Sequence, residues 1–225
     1  GRPKAEEMLH NGLPEDVARR RKRGEVIADS FGDVSVVFID IVGFSNLSKI
    51  LSPGHLLKML NSIFGIADAA AQRHGIEKVK TIGDAYLAVA GGNSSRLQDA
   101  VAAIRFSEEV IRGVEEYAAA SGIDVAVRVG IHTGNVVGGV VGAQRLSYDY
   151  WGSTMNVASR LEGQAAPNGI AVSESTYLEA FGQIAFTAPE VIALKGIGER
   201  KVYRVASCEP ETKDKGKPEL GHTVD

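Results

Sequence analysis

The chain has 225 residues, enough for one full-sized domain with a hydrophobic core and too few for two comfortable ones. Hydrophobic residues make up 44% and charged residues 24%, with a formal net charge of -3, an ordinary globular balance that gives no reason to expect nucleic acid as a partner. The single cysteine, Cys208, excludes an internal disulfide and a thiolate zinc cluster.

That cysteine usage suits a reducing compartment, and the cytoplasm is the expected location. No apolar run approaches the roughly 20 residues that span a bilayer. The start Gly1-Arg2-Pro3 is neither an initiator methionine nor a signal peptide, so the chain reads as a piece of something longer.

In chain order, Ala5 to Glu25 mixes charged residues with Met8, Leu9, Leu13 and Val17, is interrupted by Pro14, and ends in the basic run Arg19 to Arg23. Short helices leading into a domain are expected. The basic run is compatible with a membrane surface or an acidic partner, but a solvated helix end or linker is the favoured reading. Val34 to Ile39 is a buried strand; Pro53 to His74 carries Leu56, Leu57, Leu60, Ile63, Phe64 and Ala67 at helical spacing, opened by Pro53 and closed by Gly75. Lys78 to Ile82 and Ala85 to Val89 read as a hairpin joined by Gly83-Asp84. A second long helix runs from about Leu97 to Ala120, then two strands, Val125 to His132 and Val136 to Val141. Thr154 to Ala166 is a helix, Ile170 to Val172 a strand and Ser175 to Phe181 a short helix. This order predicts an α+β fold with a ferredoxin-like βαββαβ core and additional C-terminal helices and strands. The expected organisation is a helical lead-in over 1–30, a catalytic domain over 31–206 and a disordered tail over 207–225, the last rich in Lys, Glu, Pro and Gly.

Asp40 ends the Val34 to Ile39 strand and precedes a glycine-permitted turn, and Asp84 lies in the hairpin turn. In a ferredoxin-like sheet the two central strands are neighbours, so the two carboxylates would share one small space. Their repulsion calls for a cation, and hard oxygen ligands suit magnesium or manganese bound with substrate phosphates. Free backbone N–H groups at Gly43, Phe44 and Ser45 could cradle those phosphates. An aspartate at a strand end or before a turn is also commonplace, and spacing by itself leaves both readings open.

Three ordered runs carry a resemblance: Phe38-Ile39-Asp40-Ile41-Val42-Gly43-Phe44-Ser45, Glu77 through Thr81-Ile82-Gly83-Asp84-Ala85-Tyr86, and Tyr148-Asp149-Tyr150-Trp151-Gly152 through Asn156-Val157-Ala158-Ser159-Arg160. Together they resemble the class III adenylyl cyclase catalytic domain over about Glu25 to Val205. The resemblance implies a ferredoxin-like core, a head-to-tail homodimer with shared sites, ATP as substrate, and two divalent metal ions, Mg2+ or Mn2+, held by Asp40, Asp84 and the backbone carbonyl of Ile41. It implies base reading by Lys80 and Asp149, where the related guanylyl cyclases usually carry Glu and Cys. A lysine ammonium only donates and an aspartate only accepts, which suits the acceptor N1 and donor N6 of adenine and mismatches guanine.

Asn156 and Arg160, four apart, project from one face of a helix. By resemblance Arg160 stabilises the transition state and Asn156 orients the ribose. Leu194-Lys195-Gly196-Ile197-Gly198 is similar to a stretch whose lysine binds terminal phosphates, which assigns that role to Lys195; a plain surface-loop lysine is the rival. The chain departs from the family at Asn135, where a basic residue is frequent, and at Ser153, read as helix-capping chemistry. His132 is read as structural, and Gly134, Gly138, Gly139 and Gly142 as hairpin glycines. A diguanylate cyclase needs an acidic pair after Gly91-Gly92, and Asn93 stands there instead. A guanylyl cyclase and an inactive ATP-binding regulatory domain are the remaining alternatives, and the segment through Arg23 resembles the helical lead-in by which many cyclases couple to an upstream sensor or membrane domain, either of which fits the full-length protein.

Overall fold

The computed structural model describes residues 13–95 and 97–206. The first part of the expected lead-in and the whole expected tail, with Cys208, lie outside the described residues.

Alternation along β1 (Ala28–Ile41) sends Val37, Ile39 and Ile41 to one face of the sheet and Val34, Val36 and Phe38 to the other. Both rows are covered, which is why Val34 to Ile39 reads as an uninterrupted apolar run. The first face packs on α3 (Pro53–His74) and α4 (Asp99–Ser121), whose buried stripes include Met59, Ile63 and Ala67 from one helix and Ile104, Phe106 and Val110 from the other. Ser52 caps α3 by accepting from the His55 N–H, and Gly75 closes it in the left-handed conformation. Phe106 is fully buried, and truncating it to alanine is expected to cost about 3–5 kcal/mol.

The sheet is ordered β2-β3-β1-β4-β6-β8-β7, with β5 paired to β4 off that path. Here β2 is Glu77–Ile82, β3 Ala85–Ala90, β4 Val127–Val141, β5 Ser147–Trp151, β6 Gly169–Ser173, β7 Glu190–Leu194 and β8 Gly198–Arg204. The segment β2-β3-β1-β4, with α3 and α4 on one face, is the ferredoxin-like core, and the later strands extend it. The remaining helices are α1 (Glu15–Lys22), α2 (Phe44–Ile50), α5 (Ser153–Glu162) and α6 (Glu174–Ala180).

Three expectations are corrected. Val125 to His132 and Val136 to Val141 do not form two strands: β4 runs unbroken through both, because it pairs with β1 along almost its whole length. Gly134, Gly138 and Gly139 therefore lie inside a strand rather than in hairpin turns, where a Cβ would strike Thr154, Tyr148 and the Ile27 carbonyl; Gly142 does sit in the turn toward β5. Ser153 does not cap α5, since Gly152 holds the cap position and makes no side-chain hydrogen bond; Thr154 instead bonds the Asn135 carbonyl at 2.7 Å.

The second sheet face is covered partly by the lead-in itself. Leu13, Val17, Ala18 and Ile27 join Val34, Val36, Leu87, Val89, Tyr148 and Tyr150 in one buried cluster. Arg20 of α1 makes a two-pronged ion pair with Asp29 of β1, both contacts 2.9 Å. Within the basic run, then, this arginine faces the domain rather than a membrane or a solvated linker.

Candidate active site

Asp40 pairs with Ala85 across the β1–β3 ladder, so the two-residue turn that holds Asp84 ends beside it. The two side chains lie within hydrogen-bonding reach, and the Ile41 N–H donates to Asp40 Oδ1 at 3.0 Å. Burial pushes the Asp40 carboxyl up to about 6, helped by the neighbouring Glu162 carboxylate. Burial, then the Asp40 carboxylate, pushes Asp84 up to about 6 as well. Glu162 is a neighbour that sequence reasoning missed. Its signal is faint: an acidic residue two positions past Arg160, brought to Asp40 because α5 presses directly on Gly130 of β4, where a Cβ would collide with the helix backbone.

Two half-buried carboxylates held together with no ion pair to a cation among the described residues form a donor set suited to a hard divalent metal. Among the described residues no three His, Cys, Asp or Glu side chains form a ready-made metal cage. Two carboxylates and a main-chain oxygen at Ile41 fit ions that take their other ligands from water and phosphate. Directly after them, Gly43 adopts a left-handed φ of 64° and opens α2. The Asn46 and Leu47 N–H groups return to the Gly43 carbonyl, which leaves the first-turn amides of Phe44 and Ser45 without helical acceptors.

Lys80 Nζ and Asp149 Oδ2 are 2.7 Å apart, with the side chains 44% and 13% exposed. They come from β2 and β5, strands that share no ladder. A register shift between Lys78 and Lys80 makes this possible. Lys78 stands opposite Ala88 and reaches Asp68 on the helix side, at 3.0 Å, whereas Lys80 stands opposite Leu87, on the other face, with Asp149.

Asn156 and Arg160 are both exposed on α5 and line a cavity of about 840 Å³ together with Lys195, in the turn between β7 and β8. Arg200 and Lys201 of β8 line it too, so four cations face one space; sequence reasoning missed these two because an exposed Arg-Lys pair carries no motif. They supply positive charge that Asn135, exposed within β4, does not. His132 also lines the cavity, with Nδ1 2.7 Å from Ser173 Oγ; burial, then the charge of Arg200, pushes its imidazole down to about 4. The cavity lining includes none of Asp40, Asp84, Lys80 or Asp149. Within one chain the expected site residues thus fall into three groups: the carboxylate pair with its turn, the lysine–aspartate pair, and the cation-lined cavity.

This fold, with paired carboxylates at the end of the first strand and a cation-lined cavity beside α5, is that of a class III nucleotidyl cyclase catalytic domain. The chain belongs to the family described as the adenylate and guanylate cyclase catalytic domain, whose model matches residues 26–207. It is 34% identical over 202 residues to an adenylate cyclase of Mycobacterium bovis, covering 89% of this chain and 46% of that protein, so it spans about half the length of that relative. It superposes on the guanylate cyclase domain of RhGC from Catenaria anguillulae, solved in complex with GTP, with a TM-score of 0.75 and 32% identity over 80% of this chain and 98% of that one. The adenylyl cyclase CyaB from P. aeruginosa gives a TM-score of 0.74 at 28% identity over 86% and 99% of the two chains. Relatives that act on either purine nucleotide are thus similarly close. No helix among the described residues is long and apolar enough to cross a membrane.

Proposed function

We propose that this domain is an adenylyl cyclase, converting ATP to 3',5'-cyclic AMP and pyrophosphate in a homodimer. The observation that carries the choice of base is the Lys80–Asp149 pair, one donor-only and one acceptor-only group already 2.7 Å apart. Adenine replaces that contact with two matched hydrogen bonds, Lys80 donating to N1 and Asp149 accepting from N6. Guanine meets both groups in the wrong sense, a mismatch worth orders of magnitude in a buried site.

Cyclisation is an in-line phosphoryl transfer in which the ribose 3'-hydroxyl attacks the α-phosphorus. Asn156 orients the ribose and Arg160 stabilises charge on the transferring oxygens, while Lys195, with the amides of Gly43, Phe44 and Ser45, holds the phosphates. Two Mg2+ or Mn2+ ions on Asp40, Asp84 and the Ile41 carbonyl would supply charge neutralisation and an acidified 3'-hydroxyl. The separation of the three residue groups within one chain supports a site completed by a second copy, one protomer contributing Asp40 and Asp84, its partner Lys80, Asp149, Asn156 and Arg160. Exposed apolar side chains at Leu57, Ile82, Val137 and Trp151 suit such an interface.

The deciding measurement is kcat/KM for ATP against GTP with manganese. A preference for ATP that inverts in the double variant Lys80→Glu, Asp149→Cys is expected, and a native preference for GTP refutes the reading. Turnover that survives Asp40→Ala would remove the metal assignment, and absence of turnover with bound ATP would make the domain a nucleotide-binding module.

A further inference from the structure

Asp149 stands between two tyrosines of β5, and each of them is tied down by its hydroxyl. Tyr148 donates to Asp29 at 2.7 Å, the same carboxylate that Arg20 clamps. Tyr150 donates to Glu77 Oε2 at 2.6 Å and accepts from the Asn93 side-chain amide at 3.1 Å. The Asn93 backbone N–H is 3.1 Å from Glu77 Oε1, which closes the cluster. Gly92 leaves room for it, since a Cβ there would run into the Tyr150 hydroxyl. Tyr150 also holds Asp149 directly, its backbone N–H donating to Asp149 Oδ1 at 2.8 Å.

Glu77 and Lys80 are both on β2, and Tyr150 and Asp149 are both on β5. These strands are joined by two side-chain bridges and by no backbone ladder: Lys80–Asp149 and Glu77–Tyr150. A purine that is read by Lys80 and Asp149 must open the first bridge. Of the two polar bridges only the second then remains, beside the packing of Val79 on the Tyr150 cluster, to keep the two strands at the spacing that the base requires.

Resting on the assignment of Lys80 and Asp149 as base readers, we propose that Glu77 and Tyr150, with Asn93, are positioning residues for base selection: their bridge sets the gap between β2 and β5 that admits adenine and rejects guanine. The side chains are chemically suited to it. A carboxylate accepting from a phenol makes a short, strong bond, and burial pushes the Glu77 carboxyl up without removing its acceptor oxygens. The tyrosine ring also packs on Phe31 and Tyr148, so its hydroxyl can be removed while the ring keeps its seat.

The test is steady-state kinetics with ATP and GTP on three variants of the intact chain, each with its thermal midpoint. Tyr150→Phe removes one hydroxyl and is expected to raise KM for ATP and to lower the ATP:GTP ratio of kcat/KM by about tenfold, with kcat for ATP within about twofold. Glu77→Gln, whose amide oxygen still accepts from Tyr150, is expected to keep the ratio within about threefold of native. The double variant Lys80→Glu, Asp149→Cys is the control for the base readers. If it moves the ratio while Tyr150→Phe leaves it unchanged, the positioning role is overturned and base reading stands. If the double variant also leaves the ratio unchanged, the base assignment itself fails, and this inference with it. A fall in thermal midpoint with an unchanged ratio marks the bridge as structural and likewise overturns the proposal.

Discussion

The two polar pairs of this domain are opposite in their electrostatics. Asp40, near the end of β1, and Asp84, in the β2–β3 turn, are like charges, both pushed up to about 6 chiefly by burial, with Glu162 adding to it at Asp40 and Asp40 adding to it at Asp84. Lys80 and Asp149 are opposite charges that satisfy one another at 2.7 Å. On the proposed reading the first pair takes up an external cation and is stabilised by it, whereas the second satisfies itself and is opened by the base. In the proposed function, a site built from both would meet metal and phosphate with unspent charge and the base with groups that yield only to a partner of matching donor and acceptor sense.

The comparison breaks most visibly in activity. Asp40→Ala is expected to reduce cyclic AMP formation by about a thousandfold or more, whereas Asp149→Ala is expected to lower kcat/KM for ATP by about ten- to a hundredfold, both read with ATP and manganese. Comparable losses from the two would collapse the distinction.

Stability in the absence of metal separates the pairs by sign. Asp40→Asn removes a repulsion and is expected to stabilise the protein by about 1 kcal/mol, a rise of a few degrees in thermal midpoint. Lys80→Met leaves the largely buried Asp149 without its cation and is expected to destabilise by about 1 kcal/mol. Denaturant melts in a chelator measure both, and shifts of the same sign would contradict the account. Millimolar manganese sharpens the contrast: it should raise the midpoint of the native protein and leave that of Asp40→Asn unmoved.

The smallest effect belongs to the third region, the cation-lined cavity. The folded His132 imidazole titrates at about 4, below its ordinary 6.5. Between those values the unfolded chain binds the extra proton, so the native state loses stability as pH falls from about 6.5 toward about 4. His132→Asn, which retains a polar group for Ser173, should flatten that slope by on the order of 1 kcal/mol, read from melts at pH 5 and pH 7.

Much of this architecture was legible locally. Pro53 and Gly75 bound α3 as their backbone preferences dictate, and Ile82-Gly83-Asp84-Ala85 forms the expected hairpin with Gly83 at φ 59°. The nearness of Asp40 and Asp84 followed from strand adjacency in the fold class. The glycines of β4 misled because a glycine that makes room for Thr154 or Tyr148 is indistinguishable, in one dimension, from a glycine in a turn. Strands β5, β7 and β8 leave little trace in the sequence, since β5 is short and exposed along one side, β7 has only five residues, and β8 opens on the consecutive charges Glu199, Arg200 and Lys201.

Residue order by itself determined the hydrophobic rows, the helix limits and the identity of the chemical groups, because periodicity, capping and turn chemistry act within a few residues. Only the tertiary structure decided which of those groups meet. Alternation alone would set Lys78 and Lys80 on the same face of β2, yet the shift at Val79 sends Lys78 to Asp68 and Lys80 to Asp149. That shift follows from packing on both faces at once, with Val79 held against the Val34, Leu87 and Tyr150 cluster, and such long-range competition between faces leaves no local trace in a sequence.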